Sequence, residues 1–243
     1  MKDIINKLSK LKLQGIAKSI EARNAFAIES NLSYIDFLSL LIEDEFTNRQ
    51  TNSYKKRFSS SKLDPNKTLL DYDFLYQPEL NRKMILDLSS CNYIKEKKNI
   101  VFMGNPGVGK THLANALGIE AIKLGYKVIM IHTSDLLNKL LIAKGDGTYY
   151  NTLKDLLDVH LLIIDEIGFK RIDTNAVDEF FEIIRRRYEN GSIIITTNRP
   201  FEEWANVFGD AVLASAIADR IIHHCYVFKI TGKSYRMKEL IKK

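Results

Sequence analysis

A chain of 243 residues has room for one large domain, or for a medium domain with a small appendage. Hydrophobic residues make up 45% of the sequence, which is enough for a buried core, and no run of about 18 apolar residues predicts a membrane span. The net charge of +6 is compatible with a polyanionic partner but does not identify one.

Much of the positive charge lies at the C-terminus. Residues 229–243 contain six cationic residues and one anionic residue, which gives this stretch a net charge of +5. The cationic residues are Lys229, Lys233, Arg236, Lys238, Lys242 and Lys243, and the anionic one is Glu239. This stretch therefore accounts for most of the net positive charge of the chain.

The N-terminal sequence and the cysteines indicate the cellular compartment. Residues 1–15 alternate lysine with leucine and isoleucine, without the continuous apolar core and small-residue cleavage site of a signal peptide. Cys91 and Cys225 are too few for a metal site or a disulfide framework. We therefore expect a cytoplasmic protein with two reduced thiols.

The first part of the chain has a helical pattern. Isoleucine and leucine recur at helical spacing, and Ser33 with Asp36 three residues later predicts the start of a second helical segment. Residues 59–68 are rich in serine, with a proline and an asparagine, and are typical of a linker. The sequence thus predicts an N-terminal helical domain over 1–68 and a second domain over 69–243.

From Asn99 onward, short apolar runs alternate with helical stretches. The runs cover 99–103, 126–132, 159–166 and 192–198, and the helical stretches cover 111–125, 134–145 and 176–191. Runs of valine, isoleucine and leucine without polar alternation are typical of strands buried on both faces. Strands that alternate with helices predict an α/β fold with a parallel sheet.

A glycine-rich turn joins the first of these strands to a helix. Residues 104–111 fit the pattern G-x-x-x-x-G-K-[ST], in the strand-loop-helix context that a phosphate-binding loop requires. Backbone N–H groups of such a loop and of the helix N-terminus surround a phosphate. Lys110 is expected to reach the β- and γ-phosphates, and the Thr111 hydroxyl to bind Mg²⁺. The predicted ATP-binding residues are Asn105, Pro106, Gly107, Val108, Gly109, Lys110, Thr111 and His112.

Two acids end a second buried strand. Asp165 and Glu166 follow the apolar run, and ligands bind beyond the carboxyl edge of parallel strands. We expect Asp165 to hold Mg²⁺, through water, and Glu166 to polarise the attacking water as the general base. Asn198, at the end of the third such strand, is a candidate for orienting that water.

Hydrolysis of ATP also requires positive charge near the γ-phosphate in the transition state. The candidates are Arg185, Arg186, Arg187, Arg199, Arg220 and Arg236. Residue chemistry alone does not select one of them, although Arg185–Arg187 are expected on a solvated helix face.

Five stretches together resemble the IstB-type transposition helper ATPases of bacterial insertion sequences. They read GNPGVGKTHLANALGIEAIKLGYKV, LLIIDEIG, RRYENGSIIITTNRPFEEWANVFGD, ADRIIHH and GKSYR. The resemblance extends over nearly the whole chain, and this family is related to the DnaC-type helicase loaders. It implies an AAA+ P-loop NTPase with a five-stranded parallel sheet flanked by helices, a small N-terminal all-helical domain, and a short or missing lid.

The same resemblance implies roles for two arginines. Arg220 looks like the finger that reaches the ATP of a neighbouring subunit, and Arg236 resembles the second sensor arginine. Helper ATPases of this type form homo-oligomers with ATP at the subunit interfaces. They assemble on duplex DNA, deform it, and present it to a partner transposase, with no membrane involved.

We expect DNA contacts from three regions of the chain. The candidate residues are Lys55, Lys56 and Arg57 in the N-terminal domain, Lys139 and Lys144 after the second strand, and Lys170 and Arg171 after the acidic strand. Helix-turn-helix and zinc-finger signatures do not occur in the sequence, so base-specific readout is not expected.

Two other functions are compatible with the phosphate-binding loop. A replicative helicase loader has the same ATPase centre, and its N-terminal helices grip a helicase. A metabolite kinase uses a mobile arginine-rich lid over a second substrate. The acid pair, Asn198 and the downstream arginines form a hydrolase set instead and disfavour the kinase.

Overall fold

The computed structural model describes residues 1–237, so Lys238, Glu239, Lys242 and Lys243 of the basic C-terminus lie outside the described residues. The chain forms two compact units, one over Met1–Lys56 and one from Arg57 onward. The domain boundary at residue 68 remains a prediction. Within residues 1–237, no helix combines the length with the apolar character needed to cross a membrane.

The first unit is helical, as predicted. Its helices are α1 (Lys2–Lys10), α2 (Gln14–Glu29) and α3 (Tyr34–Ser61), the last of which continues beyond the unit. The Ser33 hydroxyl accepts a hydrogen bond from the backbone N–H of Asp36 at 3.2 Å and donates one to the Asp36 carboxylate at 2.6 Å. This arrangement caps α3 and confirms the predicted helix start.

Polar contacts join α2 to α3. The Arg23 guanidinium donates two hydrogen bonds to Asp44, at 2.8 and 2.7 Å, and lowers the pKa of that carboxyl to about 2. The Glu45 carboxylate accepts a hydrogen bond from the backbone N–H of Gly15 at 2.6 Å. A Cβ atom at Gly15 would lie 2.5 Å from the Cα atom of Glu45, so the two helices approach too closely there for any side chain.

The segment predicted as a linker, residues 59–68, belongs to the second unit and is packed within it. Its first residues belong to α3, which ends at Ser61, and the Leu63 side chain is buried. The Asn115 side chain accepts a hydrogen bond from the backbone N–H of Asp64 and donates to the carbonyls of Asp64 and Lys67, at 2.8–2.9 Å. The segment is irregular after Ser61 but held by these bonds.

The second unit contains a five-stranded sheet in the order β2-β3-β4-β1-β5, with every pair parallel. The strands are β1 (Asn99–Gly104), β2 (Val128–His132), β3 (Leu161–Ile167), β4 (Ser192–Thr197) and β5 (Cys225–Ile230). The four strands predicted from apolar runs are confirmed. The fifth, β5, lies at an edge of the sheet and is partly exposed, so it lacks the continuous apolar run of the others.

Helices flank this sheet, as predicted. They are α4 (Arg82–Leu88), α5 (Asn92–Lys95), α6 (Lys110–Lys123), α7 (Thr133–Gly145), α8 (Tyr149–Leu157), α9 (Thr174–Arg187), α10 (Trp204–Phe208) and α11 (Ala211–Ile222). Short 3₁₀ turns cover Phe74–Tyr76, Phe201–Glu203 and Tyr235–Met237. The core contains β3, β4 and the apolar faces of α7, α9 and α11, with the single tryptophan, Trp204, fully buried.

Arg187 does not lie on a solvated helix face, so that expectation is wrong for this residue. Its side chain is 1% exposed, and its guanidinium donates to the carbonyls of Leu156, Val159 and Ser192 at 2.8–3.0 Å. Burial lowers its pKa to about 10. Arg187, the last residue of α9, thus connects the C-terminal end of α8 to the start of β4 through hydrogen bonds. It is a structural arginine rather than an arginine finger.

Replacing this buried arginine tests its structural role. Arg187→Ala removes the donors for several buried carbonyls, each costing about 1–3 kcal/mol when unsatisfied, so the free energy of unfolding should fall by about 3 kcal/mol. Urea unfolding followed by Trp204 fluorescence measures this loss. The control is Arg186→Ala, which removes an exposed pair with Glu182 and should cost about 0.5 kcal/mol. Equal losses in both variants contradict the assignment.

Candidate nucleotide-binding site

The carboxyl ends of three adjacent strands, β3, β4 and β1, surround a cavity of about 640 Å³. Of the predicted site residues, Pro106, Gly107, Val108, Gly109, Lys110, Thr111, His112, Asp165, Glu166, Asn198 and Arg236 line it. Asn105 does not line the cavity, although its carbonyl contacts the lysine of the loop. The fold therefore brings together the two predicted motifs, which are distant in sequence.

The loop between β1 and α6 is closely covered by other parts of the chain. Gly107 and Gly109 have φ angles of +82° and +98°, in the left-handed region that favours glycine. A Cβ atom at Gly107 would collide with the Ser234 hydroxyl, and one at Gly109 would lie 2.6 Å from the ring of Tyr72. The glycines are thus required both by conformation and by space.

Lys110 carries the cationic group of the loop. Its Nζ donates hydrogen bonds to the carbonyls of Gly104 at 2.7 Å and Asn105 at 2.9 Å, and its side chain is largely buried. Burial lowers its pKa, and the charges of Asp165 and Glu166 partly oppose that shift. The ammonium group therefore lies between the loop and the acid pair, where a phosphate chain would be bound.

The two predicted Mg²⁺ ligands are adjacent. The Thr111 hydroxyl donates to the Asp165 carboxylate, with oxygen-oxygen distances of 2.9 and 3.2 Å. The Thr196 hydroxyl also donates to this carboxylate, which fixes its orientation from the neighbouring strand. Hydroxyl and carboxylate oxygens are the ligands that Mg²⁺ prefers, so this pair suits the cation.

Glu166 lies at an irregularity of β3. The register between β3 and β4 shifts between Ile164 and Ile167, and Glu166 has a φ of +61°. Its backbone N–H donates to the Thr196 hydroxyl at 2.9 Å. A bulge of this kind re-aims a side chain, and here the carboxylate lines the cavity beside Asp165.

His132, at the end of β2, contacts Glu166 and was missed by sequence reasoning. Its Nε2 lies 2.8 Å from a carboxylate oxygen of Glu166, and its Nδ1 lies 2.8 Å from the Ser134 hydroxyl and accepts from the Ser134 backbone N–H at 3.4 Å. Because Nδ1 accepts, we assign the proton to Nε2, which donates to Glu166. The sequence signal for this contact is that a polar residue ends β2, the strand next to the one that carries Asp165 and Glu166.

Asn198 has an unsatisfied polar atom. Its side-chain Oδ1 is buried and has no hydrogen-bond partner within residues 1–237. The residue follows β4 and lines the cavity. Buried polar atoms are nearly always paired, so this amide is suited to contact a polar ligand or a water in the cavity.

Two further walls of the cavity come from segments outside the phosphate-binding loop and the acid pair. Tyr72, Asp73 and Gln77 line it from the chain before β1, and the Tyr72 hydroxyl donates to the Val108 carbonyl at 3.3 Å. Tyr235 lines it from the C-terminal side, and its backbone N–H donates to the Gly107 carbonyl at 2.8 Å. Only long-range contacts give these residues their position.

These features fit a nucleoside triphosphate with a divalent cation. The glycine cradle excludes side chains, Lys110 supplies positive charge, and the Thr111 and Asp165 oxygens suit the cation. Aromatic and polar side chains, including Tyr72, extend the cavity beyond the loop and suit the base and sugar.

A pair of glycine variants tests the cradle. Gly107→Ala places a Cβ atom against Ser234, so we expect affinity for a fluorescent ATP analogue to fall at least about tenfold, or about 1.4 kcal/mol. Gly147→Ala is the control, because Gly147 also has a positive φ, of +77°, but nothing lies within 4 Å of its added Cβ. Equal affinity in the two variants contradicts the cradle.

The structure separates the arginine candidates. Arg236 lines the cavity. Arg220 is not among the described residues that line it, since its guanidinium donates to the Ala216 carbonyl at 2.9 Å and lies 5.1 Å from the centre of the Phe181 ring. Arg199 pairs with Glu203 at 2.8 Å.

The predicted DNA-contact residues have different environments. Lys55, Lys56, Lys139, Lys170 and Arg171 are exposed. Lys144 forms an ion pair with the buried Glu179 and lies 5.6 Å from the centre of the Tyr149 ring. Arg57 is half-buried and contacts the Ile122 carbonyl at 3.5 Å. The last two therefore have structural contacts that compete with DNA.

The parallel five-stranded sheet, the loop and the acid pair at its carboxyl edge define the chain as an AAA+ P-loop NTPase. Its family is more specific. A sequence model of the family described as IstB-like ATP binding protein matches residues 6–243, and the chain belongs to that family.

An individual relative agrees with this family, and two solved structures agree with the fold. The chain is 40% identical over 230 residues to a protein of Geobacillus stearothermophilus named as an ATP-binding protein of insertion sequence IS5376, covering 95% of this chain and 92% of that one. It is similar to the DnaC helicase loader (TM-score 0.59, 25% identity, 68% of this chain and 97% of that chain). It is also similar to the replication initiator DnaA bound to AMPPCP and single-stranded DNA (TM-score 0.60, 27% identity, 75% of this chain), of which it spans about half, 56%.

Proposed function

We propose that this protein is an ATP-dependent DNA-binding helper of transposition. It binds ATP between subunits, oligomerises on duplex target DNA, deforms the duplex, and recruits and stimulates a partner transposase. Hydrolysis of ATP then times disassembly. The observation that carries the proposal is the hydrolase arrangement of Thr111, Asp165 and Glu166 in a chain of the IstB-like family.

In this proposal six side chains take part in ATP binding and hydrolysis. Lys110 and the N–H groups of the loop bind the β- and γ-phosphates. Thr111 and Asp165 would hold Mg²⁺, which neutralises phosphate charge. Glu166 takes the proton of the attacking water, and Asn198 orients that water. His132 is a positioning residue, because its Nε2 holds the Glu166 carboxylate.

The two arginines act from different subunits. Arg236 lines the cavity of its own chain and senses the bound nucleotide there. Arg220 lies outside that cavity on α11, so we propose that it reaches the ATP of a neighbouring copy. This requirement for a second subunit couples ATP hydrolysis to oligomerisation.

DNA binding in this proposal is electrostatic and independent of sequence. The exposed cations Lys55, Lys56, Lys139, Lys170 and Arg171 are the primary candidates for phosphate contacts. Each neutralised phosphate releases counterions, and an oligomer repeats the contacts. Smooth bending of a site of 20–30 base pairs costs about 1–6 kcal/mol, which repeated contacts can offset.

Binding assays with two DNA substrates test the function. We expect ATP to raise the affinity for a duplex of about 30 base pairs and the mass of the bound complex, with weaker binding to the matching single strand. The affinity should fall steeply with salt concentration. If ATP increases neither the duplex affinity nor the size of the complex, the proposed function is wrong.

A helicase loader is the second candidate, because a solved helicase loader has a similar fold. In that case the ATPase centre has the same chemistry, but the N-terminal helices bind a helicase. Preferential binding to single-stranded DNA and co-purification with a hexameric helicase favour the loader. A transposase encoded by the neighbouring reading frame favours the transposition helper.

A further inference from the structure

Three side chains with metal-binding atoms meet on the surface of the second unit. Glu189 lies in the turn after α9, and His223 and His224 follow the end of α11. All three are exposed, and none is among the described residues that line the nucleotide cavity. Two segments distant in sequence thus converge at this point.

The distances suit a shared ligand. One ligand atom from each side chain lies within 4.8 Å of the other two, and the His224 Nε2 atom is 3.9 Å from a carboxylate oxygen of Glu189. The rings of His223 and His224 have centroids 4.0 Å apart. Exposed side chains need only small rotations to close to metal-ligand geometry, since Zn–N and Zn–O bonds measure about 2.0–2.2 Å.

A neighbouring side chain orients one of the candidate ligands. The Tyr188 hydroxyl lies 2.6 Å from Nδ1 of His223, and this hydrogen bond orients the imidazole. An orienting partner of this kind is typical of histidines that bind metal ions.

We propose that Glu189, His223 and His224 form a binding site for a divalent transition metal of the zinc, nickel and copper class. Two imidazoles and one carboxylate are donors that this class prefers, whereas Mg²⁺ prefers oxygen ligands alone. A bound ion connects the end of α11 to the turn between α9 and β4. The proposal does not depend on the function proposed above.

Zinc titration of the full-length chain tests this site. The protein must carry no histidine tag, and zinc chloride is added alone, without nucleotide, while heat release is measured. We expect one equivalent of zinc to bind the parent chain. His223→Ala and His224→Ala should each weaken binding at least about tenfold, as loss of a ligand or of its orienting partner does.

Two further variants locate the bound ion. His160→Ala removes another exposed histidine and should keep the parent affinity. Asp165→Asn alters the nucleotide site and should also keep the parent affinity for zinc. The proposal is overturned if the parent binds no zinc or if His224→Ala binds zinc as tightly as the parent. It is also overturned if either control variant no longer binds one equivalent of zinc.

Discussion

Arg220→Ala will lower the rate of ATP hydrolysis by about 10³- to 10⁵-fold, the range that arginine fingers contribute. The affinity of each subunit for ATP will remain close to that of the parent, because Arg220 does not line the cavity of its own chain. Steady-state phosphate release and binding of a fluorescent ATP analogue measure the two quantities. Arg186→Ala, an exposed arginine on α9, is the matched control and should retain the parent rate.

Mixing two inactive variants tests whether the finger acts between subunits. Lys110→Ala subunits bind ATP poorly but keep Arg220, whereas Arg220→Ala subunits bind ATP but lack the finger. If the finger acts on a neighbour, the mixture will hydrolyse ATP faster than either variant alone. A mixture as inactive as its components, with mixed oligomers demonstrated, shows that Arg220 does not act in this way.

Glu166→Gln will lower the rate of hydrolysis by about 10²- to 10⁴-fold, the contribution of a general base. The amide keeps the size of the side chain and its contact with His132, so ATP binding should persist. A complex that binds ATP without cleaving it should stay on duplex DNA, which native gels with ATP will reveal as a long-lived band.

A second glutamate variant supplies the control for this result. Glu202→Gln alters an exposed glutamate outside the cavity and should leave hydrolysis unchanged. If Glu166→Gln hydrolyses ATP at the parent rate, Glu166 is not the base. If its hydrolysis is lost together with ATP binding, the residue has a binding role instead.

Features set by neighbouring residues could be predicted from the sequence. The loop over 104–111 and the acids Asp165 and Glu166 occur in strand contexts that short apolar runs define. The strands β1, β3 and β4 could be predicted because both faces of each are covered, which leaves a continuous apolar run. Ser33 marked the start of α3 because its capping partner, Asp36, is three residues away.

Features that depend on distant contacts could not be predicted. Arg187 is the third of three consecutive arginines, and the local sequence does not distinguish it from its two exposed neighbours. Only its hydrogen bonds to carbonyls of α8 and β4 explain its burial. Tyr72 reaches the nucleotide cavity from the chain before β1, where no motif marks it. Tyr235 lies in the GKSYR stretch, but only its hydrogen bond to the Gly107 carbonyl explains its place at the cavity. In the sequence, His132 is only a polar residue at the end of an apolar run. The pairing of β2 with β3 brings it into contact with Glu166.

We propose that ATP in this cavity, completed by Arg220 of a neighbouring copy, assembles the protein on duplex DNA. Single-particle mass measurement of the protein with duplex and ATP tests it most directly. We expect multi-subunit complexes for the parent chain and mostly unassembled subunits for Lys110→Ala and Arg220→Ala. Complexes of the parent mass in both variants would contradict it.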